Sequence, residues 1–522
     1  MNIALALTAI SHGAVVANHV EVIGLERKPR EVNKGQPGLG DEELCGAILR
    51  DNLTGETWTV KARGIINATG PFTDGIRKLD GGVDTKEIVA PSAGVHIMLP
   101  NYFSPRMMGL IDPSTSDGRV IFLLPWQGGT IAGTTDSPTT VTPNPHPSDD
   151  DINWILKEVG NYLSPDIKVS RGDVLSAWSG IRPLVCDPAA KNTAALVRNH
   201  MINVSESGLL TIAGGKWTTF RAMAQETIDK AIHVFDLKPT GPCATETVPL
   251  IGAQGWSPNM FIKLIQHFGL ETEVAMHLSE TYGDRAWGVA ALAAQSGSRW
   301  PIFGVRLAPG YPYIEAEVKY ACQKEYACTA VDVIARRTRL SFINVQSTLA
   351  ALPRIIEIMS KELGWDEERK THELENAKEF LKSMGLSNKD LNTFVGASKE
   401  AQTSANVSEG EARFLARTHF LPNELTLYRQ TFNELDGDED GAISFNDFSR
   451  VLSKIGVYMD DKELAEVIRE VDINRSGSVE FDEFLEVVAA VKDIRSRSKF
   501  ARIVARYQER AQFPTERSGG GV

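Results

Sequence analysis

The chain has 522 residues, with 55 Lys and Arg against 67 Asp and Glu, a net charge of −12 and a pI near 5.5. At ~100–200 residues per domain this length provides for about three or four domains, and 42% hydrophobic with 23% charged residues excludes a disordered or fibrous chain. The acidic balance argues against a nucleic-acid partner, which would require a basic face to meet phosphates.

The N-terminal stretch of small apolar residues predicts a helix that runs into a strand from Val20 to Leu25. It lacks the basic region and cleavage site of a targeting peptide. Segment 33–43 is polar and carries Gly and Pro, as a surface hairpin or insertion would. Strand-like runs follow at Gly64–Gly70, Val95–Leu99, Val120–Leu124, Thr130–Gly133 and Leu209–Gly215, with helices over Asp150–Tyr162 and Thr219–Val234. Residues 1–245 are therefore expected to form a mixed α/β unit with a large antiparallel component. From Trp256 the apolar spacing turns helical: Phe261, Leu264, Ile265 and Phe268 recur at i, i+3, i+4, i+7. Residues 246–400 are expected to be all-helical. A polar linker, Ser398 to Glu409, leads to a third unit over 410–500, and 501–522 form a tail.

Five cysteines without a Cys-x-x-Cys pair read as reduced thiols rather than as a disulfide framework or a zinc site. No stretch approaches the ~18 apolar residues of a membrane-spanning helix.

The third unit holds the strongest motif. Residues 436–447 and 472–483 each fit a twelve-residue cation loop between helices. A hard divalent cation takes six or more oxygens, and positions 1, 3, 5, 7, 9 and 12 of such a loop supply them. The expected ligands are Asp436, Asp438, Asp440, Ala442 and Asp447 in the first loop, and Asp472, Asn474, Ser476, Ser478 and Glu483 in the second. Gly441 and Gly477 permit the sharp turn, and Ile443 and Val479 stand where paired loops join as a short ribbon. Glu483 is long enough to chelate Ca²⁺ with both oxygens. Asp447 is one methylene shorter, which lowers calcium preference and leaves a structural or magnesium-tolerant first loop open as the alternative.

Three further segments carry chemistry: Trp178-Ser-Gly-Ile-Arg182-Pro, Ala195-Leu-Val-Arg198-Asn-His200, and Ile212-Ala-Gly-Gly215-Lys216-Trp-Thr-Thr219. Backbone N–H groups at a helix start after such a glycine turn make an anion site. Each segment alone also fits a plain turn or a solvated arginine. Together with Asn67-Ala-Thr-Gly70, Gly133-Thr-Thr-Asp136 and the helical string from Tyr320 to Leu340, they resemble the FAD-dependent glycerol-3-phosphate dehydrogenase family. Within that family the mitochondrial branch adds a C-terminal EF-hand pair.

The resemblance implies a D-amino-acid-oxidase-like α/β flavoprotein domain, followed by an all-α domain and the EF-hands. It implies oxidation of sn-glycerol 3-phosphate to dihydroxyacetone phosphate, with FAD and Ca²⁺ as cofactors and ubiquinone as electron acceptor. Peripheral association with the mitochondrial inner membrane on its intermembrane-space side, and a homodimer, come with it. Arg182, Arg198 and Lys216 match the cationic substrate pocket, chemistry suited to a phosphate dianion. Ala68, Thr69, Gly70, Gly214, Gly215, Lys216, Trp217 and Thr218 match segments lining the flavin. His96 matches a pocket histidine and is the candidate base, with a core histidine satisfied by a backbone partner as the alternative. Arg285 and the Arg336-Arg337-Arg339 cluster are expected to pair structurally with Glu315, Glu317 and Asp332.

The family's strand–GxGxxG–helix module, which seats the FAD pyrophosphate, has no counterpart here. The chain is therefore expected to begin after that module. A calcium-binding chain without catalysis is the competing expectation. A flavin oxidase acting on amines is the third, and the phosphate-suited cations argue against it.

Overall fold

The computed structural model describes residues 1–30, 40–105, 107–164, 167–186, 196, 197, 199–297, 299–308, 310–387, 432, 435, 436, 442–444, 447, 478–480 and 484. The chain divides into two compact units, Met1–Ala293 with Tyr313–Asp390, and Ala294–Pro312 with Leu391–Val522.

The first unit opens with helix α1 (Asn2–Ser11) and an antiparallel sheet of β1 (Val20–Pro29), β2 (Glu42–Asp51) and β3 (Thr57–Lys61). The expected insertion at 33–43 is only partly visible: Glu42 and Glu43 already belong to β2, and 31–39 lie outside the described residues. A short strand β4 (Ile66–Asn67) and helix α2 (Thr73–Gly81) follow.

The centre is a seven-stranded antiparallel sheet. It comprises β5 (Val89–Pro100), β6 (Leu110–Asp112), β7 (Ile121–Trp126), β8 (Gly129–Gly133), β9 (Ser137–Pro138), β10 (Ser176–Cys186) and β11 (Leu196–Val197). The main order is β11-β10-β5-β8-β7-β6, with β9 on β5. Alternation assigns its two faces. Val95, Ile97 and Leu99 of β5, Ile121 and Leu123 of β7, and Ala132 and Ala177 all point to one side. There they meet helix α3 (Asp149–Tyr162), whose Ile152, Ile155, Leu156 and Val159 fall on one helical stripe. Ser148 caps α3 by accepting the Asp151 N–H at 3.1 Å, and three aspartates in the first turn face the positive end of the helix dipole.

A third sheet, β12 (His200–Val204), β13 (Leu210–Gly214) and β4, pairs β13 with β4 in parallel. Helix α4 (Phe220–Val234) follows β13. The helical part then runs through α5 (Met260–Phe268), α6 (Thr272–Tyr282), α7 (Ala286–Ala291), α8 (Glu315–Lys324), α9 (Ala330–Arg336), α10 (Leu340–Ile343), α11 (Val345–Leu363) and α12 (Glu367–Ser383). Helix α10 packs on β10, and backbone bonds Val345 N–H to Leu175 O (3.0 Å) and Ala177 N–H to Met384 O (3.0 Å) fasten the helices to the sheet.

The all-helical expectation for 246–400 fails at Ala294–Pro312. The described residues of that stretch are non-helical and turn back through a Gln295–Phe303 bridge, and the stretch belongs to the second unit. Two prolines and three glycines in 297–310 explain the break. The second unit also holds the ribbon of β14 (Ala442–Ile443) with β15 (Val479–Glu480), where Ile443 opposes Val479 as the loop motif requires. Phe432, Leu435, Ile443, Val479 and Phe484 are buried, and Phe432 and Phe484 meet edge to face at 5.5 Å.

Candidate active site

Directly opposed residues of an antiparallel ladder share a face. Trp178 opposes His96, His96 opposes Gly133, and Gly133 opposes Phe122. These four form one row on the face turned away from α3. On the same face Gly180 opposes Gly94 and Arg182 opposes Ser92. The sheet thus brings together two predicted site residues, His96 and Arg182, from strands far apart in sequence.

His96 is half-buried. Its ring stacks on Trp178, with centroids 5.8 Å apart and planes at 15°, and Phe342 of α10 holds the Trp178 indole edge-on at 5.2 Å. Among the described residues the imidazole has no hydrogen-bond partner, so the backbone-satisfied alternative lacks its bond. Burial first, and the positive charge of Arg182 second, hold its pKa below the usual 6.5.

The Arg182 guanidinium folds back along the sheet. Its Nη1 donates to the Thr135 carbonyl (3.1 Å) and to Asp136 Oδ1 (3.1 Å), and Nη2 donates to Thr134 Oγ1 (2.9 Å). Asp136 also accepts from the Ser92 hydroxyl. A Cβ built on Gly94 would lie 2.6 Å from Arg182 Cζ, so the guanidinium rests on that glycine. Gly94 is one same-face step from His96, or ~7 Å along a strand.

The parallel β4–β13 pair places Asn67 opposite Thr211. Buried Asn67 donates from Nδ2 to the Thr73 carbonyl (3.0 Å), and its Oδ1 accepts the Thr69 N–H (3.3 Å) and hydroxyl (2.7 Å). These bonds close the turn that exposes Ala68 and Thr69. Gly70, Gly214 and Gly215 have φ of 58°, 78° and 80°, the left-handed region where glycine is at home. Lys216, Trp217 and Thr218 are exposed, and Trp217 stacks on Phe220 at 5.2 Å. Strand β10 packs against both β13 and the Gly70–Phe72 turn. Two glycine turns with open backbone beside the Arg182 strand fit the flavin end of FAD. Lys216 has no ion pair among the described residues. Arg198 lies outside them.

The expected pairing of the helical arginines holds only in part. Arg337 reaches Asp332 at 3.9 Å, but Arg285 pairs with Glu325 at 2.8 Å. Glu315 is instead taken by Arg354 in a two-bond fork (2.6 and 2.8 Å), and Glu317 by His277 (2.9 Å) and Tyr282 (3.0 Å). The reason is helix length. Glu315 and Glu317 begin α8 while Arg285 meets its far end, ~15 Å away. No ion pair of Arg336 or Arg339 is found among the described residues.

In the first cation loop Asp436 and Asp447 are buried, and Asp447 Oδ2 accepts the Ser444 N–H (3.0 Å) and hydroxyl (2.6 Å). Ala442 lies in β14, and Ser478 directly precedes β15. Asp438, Asp440, Asp472, Asn474, Ser476 and Glu483 lie outside the described residues.

Gly94, Thr134, Asp136 and Trp178 were not singled out as site residues from sequence. Alternation along β5 and β10 was the signal that could have found Gly94 and Trp178, since it places both on the face of His96 and Arg182.

The sheet and its glycine turns are those of an FAD-dependent oxidoreductase, the class that its family model names. The family model described as FAD dependent oxidoreductase matches residues 1–221, that of the C-terminal domain of alpha-glycerophosphate oxidase matches 243–370, and that of the EF-hand domain pair matches 426–489. The mitochondrial glycerol-3-phosphate dehydrogenase of Bos taurus is 50% identical over 528 residues, covering 100% of this chain and 69% of that protein. That of Homo sapiens is 49% identical over the same coverage. The crystal structure of glycerol-3-phosphate dehydrogenase from Bacillus halodurans complexed with FAD superposes with a TM-score of 0.60 at 26% identity, covering 73% of this chain and 72% of that one. The chain belongs to the mitochondrial glycerol-3-phosphate dehydrogenase family.

Proposed function

We propose that the chain oxidises sn-glycerol 3-phosphate to dihydroxyacetone phosphate and passes the electrons to ubiquinone under control of its EF-hand pair. One observation supports this above the others: a fixed guanidinium and a neutral imidazole, without a hydrogen-bond partner among the described residues, occupy neighbouring same-face positions of one sheet. A three-carbon phosphoester bridges that span with a hydrogen bond at each end.

Arg182 binds the phosphate, with Lys216 and Arg198 as further cations. His96, kept neutral by burial and by Arg182, takes the C2 hydroxyl proton on a ring nitrogen. The Asn67–Gly70 and Gly214–Thr218 turns would hold FAD, which would supply the hydride acceptor when bound. Trp178, itself held edge-on by Phe342, packs against the imidazole and fixes its plane. Calcium at the loop pair would act by ordering the helices around it.

Among the described residues no helix is long and apolar enough to cross a membrane. Relatives named as mitochondrial support a mitochondrial site of action, and we place the enzyme peripherally on the inner membrane, facing the intermembrane space, as a homodimer. The test is turnover of a soluble quinone with sn-glycerol 3-phosphate against glycerol. A strong preference for the phosphoester, lost in Arg182→Gln through KM, is expected. Equal use of the two alcohols would contradict the assignment.

A further inference from the structure

Arginine reads a phosphate through pairs of parallel N–H groups, so the plane of its guanidinium decides what it recognises. In this chain that plane is set from two sides. The loop after β8 takes three donors: both Nη1 hydrogens go to the Thr135 carbonyl and Asp136 Oδ1, and one Nη2 hydrogen goes to Thr134 Oγ1. Asp136 is itself held by the Ser92 hydroxyl. The floor is Gly94, where a methyl group would meet Cζ and Nη1 at 2.6 Å. Five donors less three leaves the Nε–H and one Nη2–H for a ligand.

We propose that Gly94 is a specificity-determining position, and Thr134 and Asp136 positioning residues, for a phosphomonoester dianion. The bare Cα of Gly94 lets the guanidinium lie flat on the sheet with its remaining two donors presented as a fork. Thr134 and Asp136 keep it from rotating off. The inference rests on the phosphoester function proposed above and adds to it what orients the cation.

The substitution Gly94→Ala isolates the effect. Gly94 sits in a strand without a left-handed φ, and the atoms a methyl group would strike are the tip of a flexible side chain, so the fold absorbs it by displacing Arg182. Binding of sn-glycerol 3-phosphate and of inorganic phosphate to the full chain is measured by calorimetry. Gly94→Ala and Thr134→Val should each weaken both ligands roughly 10- to 100-fold, the range for a hydrogen bond to a charged group. In an Arg182→Met background Gly94→Ala should have no further effect, which a merely structural glycine would not show. Unchanged phosphoester affinity in Gly94→Ala, or an equal loss with and without Arg182, would overturn the inference while leaving the function standing. A parent chain that binds inorganic phosphate in this Gly94-dependent way but not glycerol 3-phosphate would overturn the function and keep the inference. Binding of neither would overturn both.

Discussion

The imidazole of His96 lies face to face with the indole of Trp178, ring centroids 5.8 Å apart and planes 15° from parallel. The two residues oppose each other on β5 and β10, where burial first and the Arg182 charge second favour the neutral form of the imidazole.

His96 should therefore titrate below 6.5, and Arg182→Gln should raise that midpoint only partway, because burial is the larger cause and Arg182 the smaller. Nitrogen-detected NMR of the imidazole reads both. In the unfolded chain the proton binds more readily, so the stability His96 contributes is complete above pH 6.5 and is lost as pH falls toward the folded value. A midpoint above 6.5 would refute the electrostatic picture of the site.

Glu325 is buried between two cations, 2.8 Å from Arg285 and 3.8 Å from Arg337. Removing one partner of a buried ionic group leaves charge uncompensated at a cost of ~3–5 kcal/mol. Glu325→Ala should show that loss in urea unfolding, whereas Glu357→Ala, on the exposed side of Arg354, should stay within ~1 kcal/mol of the parent.

The thiols should separate by reactivity. All five cysteines are free, as the sequence led us to expect. Burial pushes Cys322 up to about 12, while hydrogen bonding with Thr245 lowers exposed Cys243. Cys243 should react first with a disulfide reagent at pH 7.5, and Cys243→Ser should remove that rapid phase. Early labelling of Cys322 would contradict the burial described.

Much of the sheet was legible because its strands carry β-branched runs bounded by glycine. Asp149–Tyr162 and Phe220–Val234 emerged within a residue or so of their expected starts for the same kind of reason, a clear 3.6-residue stripe. Long-range pairing is what a single chain conceals. Nothing in the spacing of Arg285 shows that it meets the end of α8 rather than its beginning, and nothing near Arg182 shows that Gly94 is its floor. The excursion at Ala294–Pro312 was missed although its prolines and glycines signal it, since helical periodicity on both sides invited interpolation. Strand register converts motifs into a site, and it depends on partners dozens of residues away.

For the cation loops, Glu483→Gln should abolish the high-affinity calcium phase, and Asp447→Glu should strengthen the first loop by adding a second chelating oxygen. Asp447 now spends Oδ2 on Ser444. Calorimetry on the full chain measures both, and an unchanged isotherm for Glu483→Gln would reverse the ranking of the two loops.

Hydride removal from a glycerol phosphate with His96 as the base has a visible signature in the flavin. Its most direct test is anaerobic addition of sn-glycerol 3-phosphate to the purified, FAD-loaded chain while the visible flavin band is followed. Bleaching is expected, slowed ~10²–10⁴-fold in His96→Asn at equal flavin content. A folded chain that binds no flavin and responds only to calcium, or one whose bound flavin stays oxidised, would contradict it.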